Sequence, residues 1–151
     1  APSDIQAIEE IVRSSGFFST AETEIACELA AERLDQGEKS SYRFLFLEEK
    51  GKVVGYTCYG LIPATAGSYD LYWIAISPSL RGKGLGKILL LKTEELISGG
   101  GGIQVYAETS SRAQYVPTQL FYEGCDYIPE AVLTDFYAPG DSKIIYSKLL
   151  K

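Results

Sequence analysis

The sequence contains no histidine and no methionine, and only three cysteines and one tryptophan among its 151 residues. Without histidine, the chain cannot build a Ser-His-Asp triad, a Cys-His nucleophile or a histidine-ligated metal site. Any acid–base chemistry must therefore use Asp, Glu, Tyr, Lys, Cys or water. We accordingly expect a protein that uses no metal.

The three cysteines, Cys27, Cys58 and Cys125, are widely spaced and include no Cys-x-x-Cys pair. This pattern favours buried thiols in a reducing compartment over a disulfide framework. Long hydrophobic runs are also missing, and a run such as Ile88–Leu91 is far too short to span a bilayer. No secretory signal pattern opens the chain, so we expect a cytoplasmic protein without a membrane partner.

Length and composition are ordinary for one globular domain, with 46% hydrophobic and 23% charged residues. We therefore interpret residues 1–151 as a single domain. The net charge of −6 argues against a nucleic-acid partner and is compatible with a cationic acceptor, although solubility alone explains it equally well. A homodimer is compatible with the sequence.

The predicted elements run from two helices through a meander of strands to a strand–helix–strand–helix unit and a closing hairpin. Capping-box patterns at Ser3–Gln6 and Ser19–Glu22 predict the first two helices, which should end near Gly16 and Gly37. The later elements are strands at Tyr42–Glu48, Lys52–Leu61, Leu71–Ile76, Ile103–Glu108, Tyr127–Phe136 and Lys143–Leu149, and helices at Lys87–Ile97 and Arg112–Glu123. This order predicts an α/β (α+β) fold with a mixed central β-sheet flanked by helices on both faces.

Some of these elements carry specific burial predictions. Leu71–Ile76 is apolar on both faces, and Ile103–Glu108 is similar, so both are predicted to be buried strands. Pro117 predicts a late start or a kink in the last helix. The inner side of the helix Lys87–Ile97 is predicted to consist of Ile88, Leu89, Leu91 and Leu96.

A glycine-punctuated loop follows the strand Leu71–Ile76 and runs directly into the next helix. In Arg81-Gly-Lys-Gly-Leu-Gly-Lys87, three glycines at alternate positions are accompanied by three cations. The first turn of a helix leaves backbone N–H groups unpaired and carries partial positive charge. Glycine lets such a backbone approach a ligand closely. The pattern therefore predicts a phosphate or pyrophosphate site.

The spacing of this loop excludes two common nucleotide motifs. A P-loop needs Lys followed by Ser or Thr, whereas Lys87 is followed by isoleucine, and only three residues separate Gly82 from Gly86. A dinucleotide fingerprint that began at Gly82 or Gly84 would need glycine where lysine or leucine stands. A turn that merely connects strand to helix is the remaining alternative.

Arg81-x-x-Gly84-x-Gly86 after an apolar strand resembles the pyrophosphate-binding motif of the GCN5-related N-acetyltransferase (GNAT) family. A second segment, Leu120–Tyr127, is similar to the family's FYxxxGF pattern, with Asp126 where a glycine is usual.

The tail Asp135–Tyr146 also resembles a closing hairpin common in that family. In element order, the resemblance covers about Ser3 to Leu150. The family's usual first strand is expected to be missing before Ala1, and the absence of methionine fits a trimmed N-terminus.

The resemblance implies direct transfer of an acetyl group from acetyl-CoA to an amine. It implies that backbone groups of Ile74, Ala75 and Ile76 pair with the pantetheine arm and polarise the thioester carbonyl. The residues implied to hold the pyrophosphate are Arg81, Gly82, Lys83, Gly84, Leu85, Gly86 and Lys87. The cofactor would lie in a wedge between the strands Leu71–Ile76 and Ile103–Glu108.

The resemblance also suggests the acid, because Tyr122 matches the tyrosine of the FYxxxGF segment and could protonate the departing thiolate. A tyrosine packed on a helix face is the alternative. Three residues on or at the ends of the wedge strands, Asp70, Tyr72 and Glu108, are the candidate bases. Each of them could instead be a solvated strand end.

The acceptor implied here is a small amine, such as an amino acid or a derivative. A protein N-terminus or lysine is an alternative acceptor, and a catalytically silent acyl-CoA-binding module is an alternative function. A further hypothesis, that the protein binds ATP through the glycine loop, is disfavoured by the spacing of the glycines and lysines in that loop.

Overall fold

The computed structural model describes residues 1–14 and 20–150, with the backbone alone at 20–23 and 38. The main elements of this part of the chain are α1 (Pro2–Ser14), α2 (Thr20–Gln36), β1 (Arg43–Glu49), β2 (Lys52–Leu61), β3 (Ser68–Ile76), α3 (Leu85–Gly99), β4 (Gln104–Ser110), α4 (Val116–Gly124), β5 (Ile128–Ala138) and β6 (Asp141–Leu149). The strands form one six-stranded sheet in the order β1-β2-β3-β4-β6-β5. β3 pairs with β4 in parallel, whereas β1 with β2, β4 with β6 and β5 with β6 are antiparallel.

The predicted α/β (α+β) class with a mixed central sheet is thus confirmed. The chain divides into two compact units, the first formed by Ala1–Gly60 and Tyr72–Thr93 and the second by Leu61–Leu71 and Glu94–Lys151. β3 and α3 each contribute residues to both units. Across residues 1–14 and 20–150, no helix combines the length and apolar character needed to cross a membrane.

In the first unit, helices cover both faces of β2. Buried residues of α1 and α2 pack against Tyr56 and Cys58 of β2 in one core cluster. Thr57 lies between these two residues and therefore points to the opposite face of the strand. There its hydroxyl is 2.8 Å from the hydroxyl of Thr93 on α3. The prediction of helices on both faces is confirmed within this unit.

A tight hairpin turn connects β1 to β2. Lys50 and Gly51 both have positive φ angles, of 52° and 78°. Two consecutive residues in the left-handed region are typical of the type I′ turn, whose twist matches that of the paired strands. The register then runs from Glu49 opposite Lys52 to Arg43 opposite Tyr59.

In the second unit, the helices lie on one face of the sheet. Tyr122 of α4 packs on Tyr146 of β6, with ring centroids 5.7 Å apart. Glu94 of α3 accepts a hydrogen bond from Lys148 of β6 at 2.7 Å. Tyr146 and Lys148 are two residues apart on one strand, so they share a face, and α3 and α4 therefore cover the same side.

Several predicted boundaries shift in the structure. α1 begins at Pro2, before Ser3, so the helix does not start at the predicted capping box. Gly16 and Ser19 lie outside the described residues. α2 ends at Gln36, as predicted. α4 begins only at Val116, so the late start that Pro117 predicted is confirmed.

The prediction that Leu71–Ile76 is fully buried is wrong. Only Leu71 and Ala75 are buried, and Tyr72 is 36% exposed, with its ring edge-on to Tyr42 at 5.3 Å. The reason is that tyrosine counts as apolar in a pattern, yet its hydroxyl allows the ring to stay at the surface. The buried character predicted for Ile103–Glu108 fails at its ends, where Ile103 is 48% exposed and Glu108 is exposed as well.

The predicted inner side of α3 is also largely wrong. Leu89 is buried, but Ile88, Leu91 and Leu96 are 51%, 40% and 51% exposed. The residues that α3 buries are Leu89, Leu90, Thr93, Glu94 and Ile97. The inner face therefore includes two polar residues, which burial permits because each has a hydrogen-bond partner.

Candidate active site

The loop between β3 and α3 has the backbone that the glycine pattern predicted. Gly82 and Gly84 have φ angles of 77° and 74°, a region that residues with a side chain rarely adopt. A Cβ placed on either glycine would meet no atom within 4 Å. The two glycines are therefore required by the path of the backbone and not by crowding, and the space beside them is open.

The helix behind this loop presents unpaired N–H groups. Ile88 donates the first hydrogen bond of α3 to the carbonyl oxygen of Gly84, at 3.2 Å. The geometry of an α-helix leaves the N–H groups of residues 85–87 without a partner inside the helix. The side chains of Arg81, Lys83 and Lys87 are exposed around them. This combination of donors and cations could hold a diphosphate.

The strand that precedes the loop is fixed along β2. Ser77 donates a hydrogen bond to the carbonyl oxygen of Val54 at 2.7 Å. A Cβ on Gly55 would lie 2.5 Å from Cδ1 of Ile76 and 3.1 Å from the carbonyl oxygen of Ala75. A side chain at position 55 would therefore require the Ile76 side chain and the Ala75 carbonyl to move aside. Ile74 and Ile76 are half-buried and Ala75 is buried, so this segment is packed within the first unit next to the loop.

Two of the candidate bases meet in the second unit. Asp70 of β3 lies opposite Tyr106 of β4 in the parallel register, and Glu108 lies two residues further along β4. Because opposed residues and residues two apart share a face of the sheet, both carboxylates are on one side. In the described part of this unit, α3 and α4 cover the other side, the one that carries Val105 and Ala107.

Burial is the main cause that raises the pKa of Asp70, and the negative charge of Glu108 raises it further. A cation opposes these effects, because Lys143 lowers the pKa of Asp70. The ammonium of Lys143 forms an ion pair with Glu108 at 2.8 Å. No sequence motif singled out Lys143, since a lysine in a strand near a hairpin is ordinarily a solvated residue.

Tyr122 is buried in an aromatic cluster. Its ring centroid lies 5.5 Å from that of Tyr127 and 5.7 Å from that of Tyr146. Burial, and to a lesser degree Cys125, raises the pKa of the Tyr122 phenol, so the group stays protonated through the neutral range. The raised pKa keeps a proton available on the phenol but makes Tyr122 a weaker acid, and the burial suits the packing role that the sequence left as an alternative.

The segment after Tyr122 explains the departure from the FYxxxGF pattern. Tyr127 donates a hydrogen bond to the carbonyl oxygen of Tyr122 at 3.0 Å, which closes α4 in a Schellman-type cap. Asp126 occupies the left-handed position of this cap, with φ of 70°. Glycine is favoured there because it has no Cβ. Asp126 adopts the left-handed conformation although it has one.

The site residues thus fall into two groups. The first unit contains Tyr72, the segment Ile74–Ile76 and the loop Arg81–Lys87, whereas Asp70, Glu108 and Tyr122 belong to the second. Within residues 1–14 and 20–150, no set of three or more Cys, Asp or Glu side chains is arranged to hold a metal ion.

Comparison with known proteins identifies close structural relatives. A family model described as the acetyltransferase (GNAT) family matches residues 5–127. A crystal structure from Desulfovibrio desulfuricans, described as an acetyltransferase of the GNAT family, is 42% identical to this chain. It superposes with a TM-score of 0.98, covering 100% of this chain and 95% of that one. No curated protein sequence matches the chain significantly.

Two more distant structures share the fold. An aminoglycoside 6'-N-acetyltransferase complexed with coenzyme A is 16% identical, with a TM-score of 0.78 and coverage of 100% of this chain and 93% of that one. The ribosomal-protein-S18-alanine N-acetyltransferase from Escherichia coli is 20% identical, with a TM-score of 0.77 and coverage of 100% and 90%. At these identities the likeness shows the fold alone.

Proposed function

This chain belongs to the GNAT family of acetyltransferases, and from that premise we propose that it transfers the acetyl group of acetyl-CoA to the amine of a small molecule. Acetyl-CoA-dependent acetyl transfer is the activity of the family. The class of the acceptor and the roles of individual residues are our proposal. The observation that carries the acceptor class is the Asp70 carboxylate, which lies on the same face of the second unit as the Glu108–Lys143 ion pair and suits a cationic amine.

The loop of the first unit binds the pyrophosphate of acetyl-CoA. Support comes from the left-handed backbone at Gly82 and Gly84, the open space beside both glycines, and the N–H groups that begin α3. Arg81, Lys83 and Lys87 balance the negative charge of the phosphates. The backbone of Ile74–Ile76 pairs with the pantetheine arm and polarises the thioester carbonyl, which the tight packing of Gly55 against this segment supports.

The chemistry needs no covalent enzyme intermediate. The ammonium loses a proton to one of the candidate bases, Asp70, Glu108 or Tyr72, through a water, and the freed lone pair attacks the thioester carbonyl carbon. The C–S bond breaks, and the phenol of Tyr122 donates its proton to the departing sulfur. Tyr122 then regains a proton from solvent, the new amide nitrogen loses its second proton, and one proton in total leaves the site.

Measurement of coenzyme A release tests the acceptor class. The full chain is mixed with acetyl-CoA and with amino acids, their derivatives, an aminoglycoside, or a peptide with a free N-terminus and a lysine. We expect at least one small amine to raise thiol release about 100-fold or more above the amine-free rate. If only the peptide drove thiol release, the acceptor would be an amine of a protein and not a small molecule. Binding of acetyl-CoA without release in any arm would identify a silent binding module.

A further inference from the structure

Lys143 lies on the carboxylate-bearing face of the second unit. In the antiparallel register of β4 and β6, it is directly opposite Ser110. Glu108 precedes Ser110 by two residues, so Glu108, Ser110 and Lys143 share one face of the sheet. This placement puts a cation from the last strand beside carboxylates from two central strands.

The contacts of Lys143 are those of a fixed side chain. Its side chain is 14% exposed, whereas that of its partner Glu108 is 46% exposed. The ammonium is 2.8 Å from Oε2 of Glu108 and 4.0 Å from the centroid of the Phe136 ring. A nearly buried lysine needs a compensating charge, and the ring face adds a cation–π contact on another side. The lysine therefore holds the Glu108 carboxylate in place.

Asp70 differs from Glu108 in this respect. Among the described residues, no hydrogen bond or ion pair engages the Asp70 carboxylate. A proton placed on Glu108 would weaken its ion pair with Lys143, whereas a proton placed on Asp70 breaks no such contact. Burial and the charge of Glu108 also raise the pKa of Asp70, which brings it closer to the pH at which a general base is effective.

We propose that Lys143 is a positioning residue for acetyl transfer, which anchors Glu108 as a fixed charge and leaves Asp70 as the group that takes the proton of the acceptor. The proposal rests on the proposed function and narrows its three candidate bases to one. In the step itself, one N–H bond of the ammonium breaks and the proton binds a carboxylate oxygen of Asp70, directly or through one water. The neutral amine keeps the lone pair for attack, and Asp70 later returns the proton to solvent.

The charged and titratable groups around Lys143 come from every neighbouring strand. Asp141 is two residues from Lys143 on β6, and its carboxylate accepts a hydrogen bond from Ser110. Glu130 of β5 is engaged by the hydroxyl of Ser147 at 2.7 Å. The groups on this face are Asp70 from β3, Tyr106 and Glu108 from β4, Glu130 from β5, and Asp141 and Lys143 from β6.

The pH dependence of kcat/KM in substituted full-length chains tests the proposal. In Lys143→Met, the loss of a cation makes the Asp70 carboxylate harder to ionise. The acid limb of the pH profile, where kcat/KM falls as the base becomes protonated, should therefore move to higher pH. Lys143→Arg should restore the limb. In Glu108→Gln, the loss of an anion should move the limb to lower pH. Asp70→Asn should lower kcat by about 100-fold or more.

Lys148→Met supplies the matched control. Lys148 lies on the same strand, is 17% exposed and forms an ion pair of 2.7 Å with Glu94, but it is on the opposite face. Its loss should lower stability at least as much as the loss of Lys143, because it leaves the nearly buried Glu94 unpaired, and it should leave the acid limb in place. A limb that Lys143→Met does not move, or that Lys148→Met moves equally, overturns the proposal. So does a limb that survives Asp70→Asn and disappears in Glu108→Gln.

A second readout does not depend on turnover. Carboxyl carbon NMR of the same variants reports the titration of Asp70 directly, with no acceptor present. The pKa of Asp70 should be above its ordinary value of 3.8 in the unaltered chain, higher in Lys143→Met and lower in Glu108→Gln. An unchanged Asp70 titration in both variants refutes the role of Lys143. Failure of every amine in the release assay would instead count against the proposed function alone.

Discussion

Asp126 shows how one residue can occupy a backbone position that favours another. It has a φ of 70° at the end of α4, between Cys125, which is buried, and Tyr127, which is buried too. Residues with a Cβ are sterically disfavoured in this region. Aspartate is disfavoured less than most, because its short polar side chain can form hydrogen bonds with the nearby backbone. The side chain of Asp126 itself is exposed, so its replacement disturbs no packing.

We therefore expect Asp126→Gly to stabilise the folded chain by about 0.5–1 kcal/mol. The gain should appear as a higher midpoint in urea unfolding with an unchanged slope. Asp126→Ala is the matched control, since alanine has the Cβ without the polar group, and it should destabilise the chain. A midpoint that falls in the glycine variant would show that the carboxylate contributes more than the turn.

Tyr122 offers the test of the thiolate-protonating role. Tyr122→Phe removes one oxygen and keeps the ring contacts with Tyr127 and Tyr146, so the cluster should stay packed. We expect kcat to fall about 10-fold or more, while coenzyme A binds as before. Steady-state kinetics and calorimetric titration with coenzyme A measure the two quantities. Turnover that is unchanged in the phenylalanine variant would leave Tyr122 with a packing role only.

At the scale of elements, helix α3 shows what a hydrophobic pattern predicts and what it misses. Its existence and its start after the glycine loop follow from the sequence, because the glycines and the apolar run are local signals. Which side of α3 faces the core does not follow from the sequence. Thr93 and Glu94 are buried through partners that are distant in sequence, Thr57 and Lys148, and no periodicity reports such partners.

The candidate site residues likewise divide into those indicated by a continuous stretch of sequence and those brought together only by strand pairing. The glycine-lined backbone of Arg81–Lys87, which we propose binds phosphate, was predictable because its signals are continuous in sequence. Asp70 and Glu108 were predictable only as strand-end carboxylates, since their proximity depends on the parallel register of β3 and β4. The ion pair of Lys143 with Glu108 was not predictable, because it depends on the antiparallel pairing of β6 with β4.

The threonine pair between β2 and α3 leads to a prediction at this scale. Thr57 and Thr93 are both fully buried, and the Thr93 hydroxyl is also 2.8 Å from the carbonyl oxygen of Leu89. Thr93→Val keeps the shape of the side chain and leaves the Thr57 hydroxyl without this partner, which should cost about 1–3 kcal/mol. Adding Thr57→Val removes the stranded hydroxyl, so the double variant should recover part of the loss.

A double-mutant cycle in urea measures this coupling. We expect the two substitutions together to destabilise the chain less than the sum of the single effects. Strictly additive losses would mean that the two hydroxyls, although 2.8 Å apart, do not stabilise the contact between β2 and α3.

At the scale of the whole molecule, the family assignment and the backbone of the loop Arg81–Lys87 are both compatible with binding of acetyl-CoA. The family model covers residues 5–127, and the loop Arg81–Lys87 supplies the cationic, glycine-lined helix start that a diphosphate needs. Binding of acetyl-CoA should therefore stabilise the folded chain as a whole, because a ligand that binds only the folded state shifts the unfolding equilibrium.

At about 100 times its dissociation constant, acetyl-CoA should add about 2.7 kcal/mol, which corresponds to a rise of roughly 5–10 °C in Tm for a chain of this size. Gly84→Leu should abolish most of this rise, since its side chain would occupy the space beside the loop. Gly140→Leu is the control. Gly140 has a φ of 79° and equally open surroundings in the β5–β6 turn, so its replacement carries the same backbone strain.

The quantity to compare is the rise in Tm on addition of acetyl-CoA to each variant, not the Tm itself. Strain at either glycine lowers the Tm of the free chain, and subtraction within each variant removes that effect. The Gly140 variant should keep the full rise and the Gly84 variant should lose most of it. An equal rise in both would mean that the diphosphate does not bind at the start of α3, and that the open backbone there has another cause.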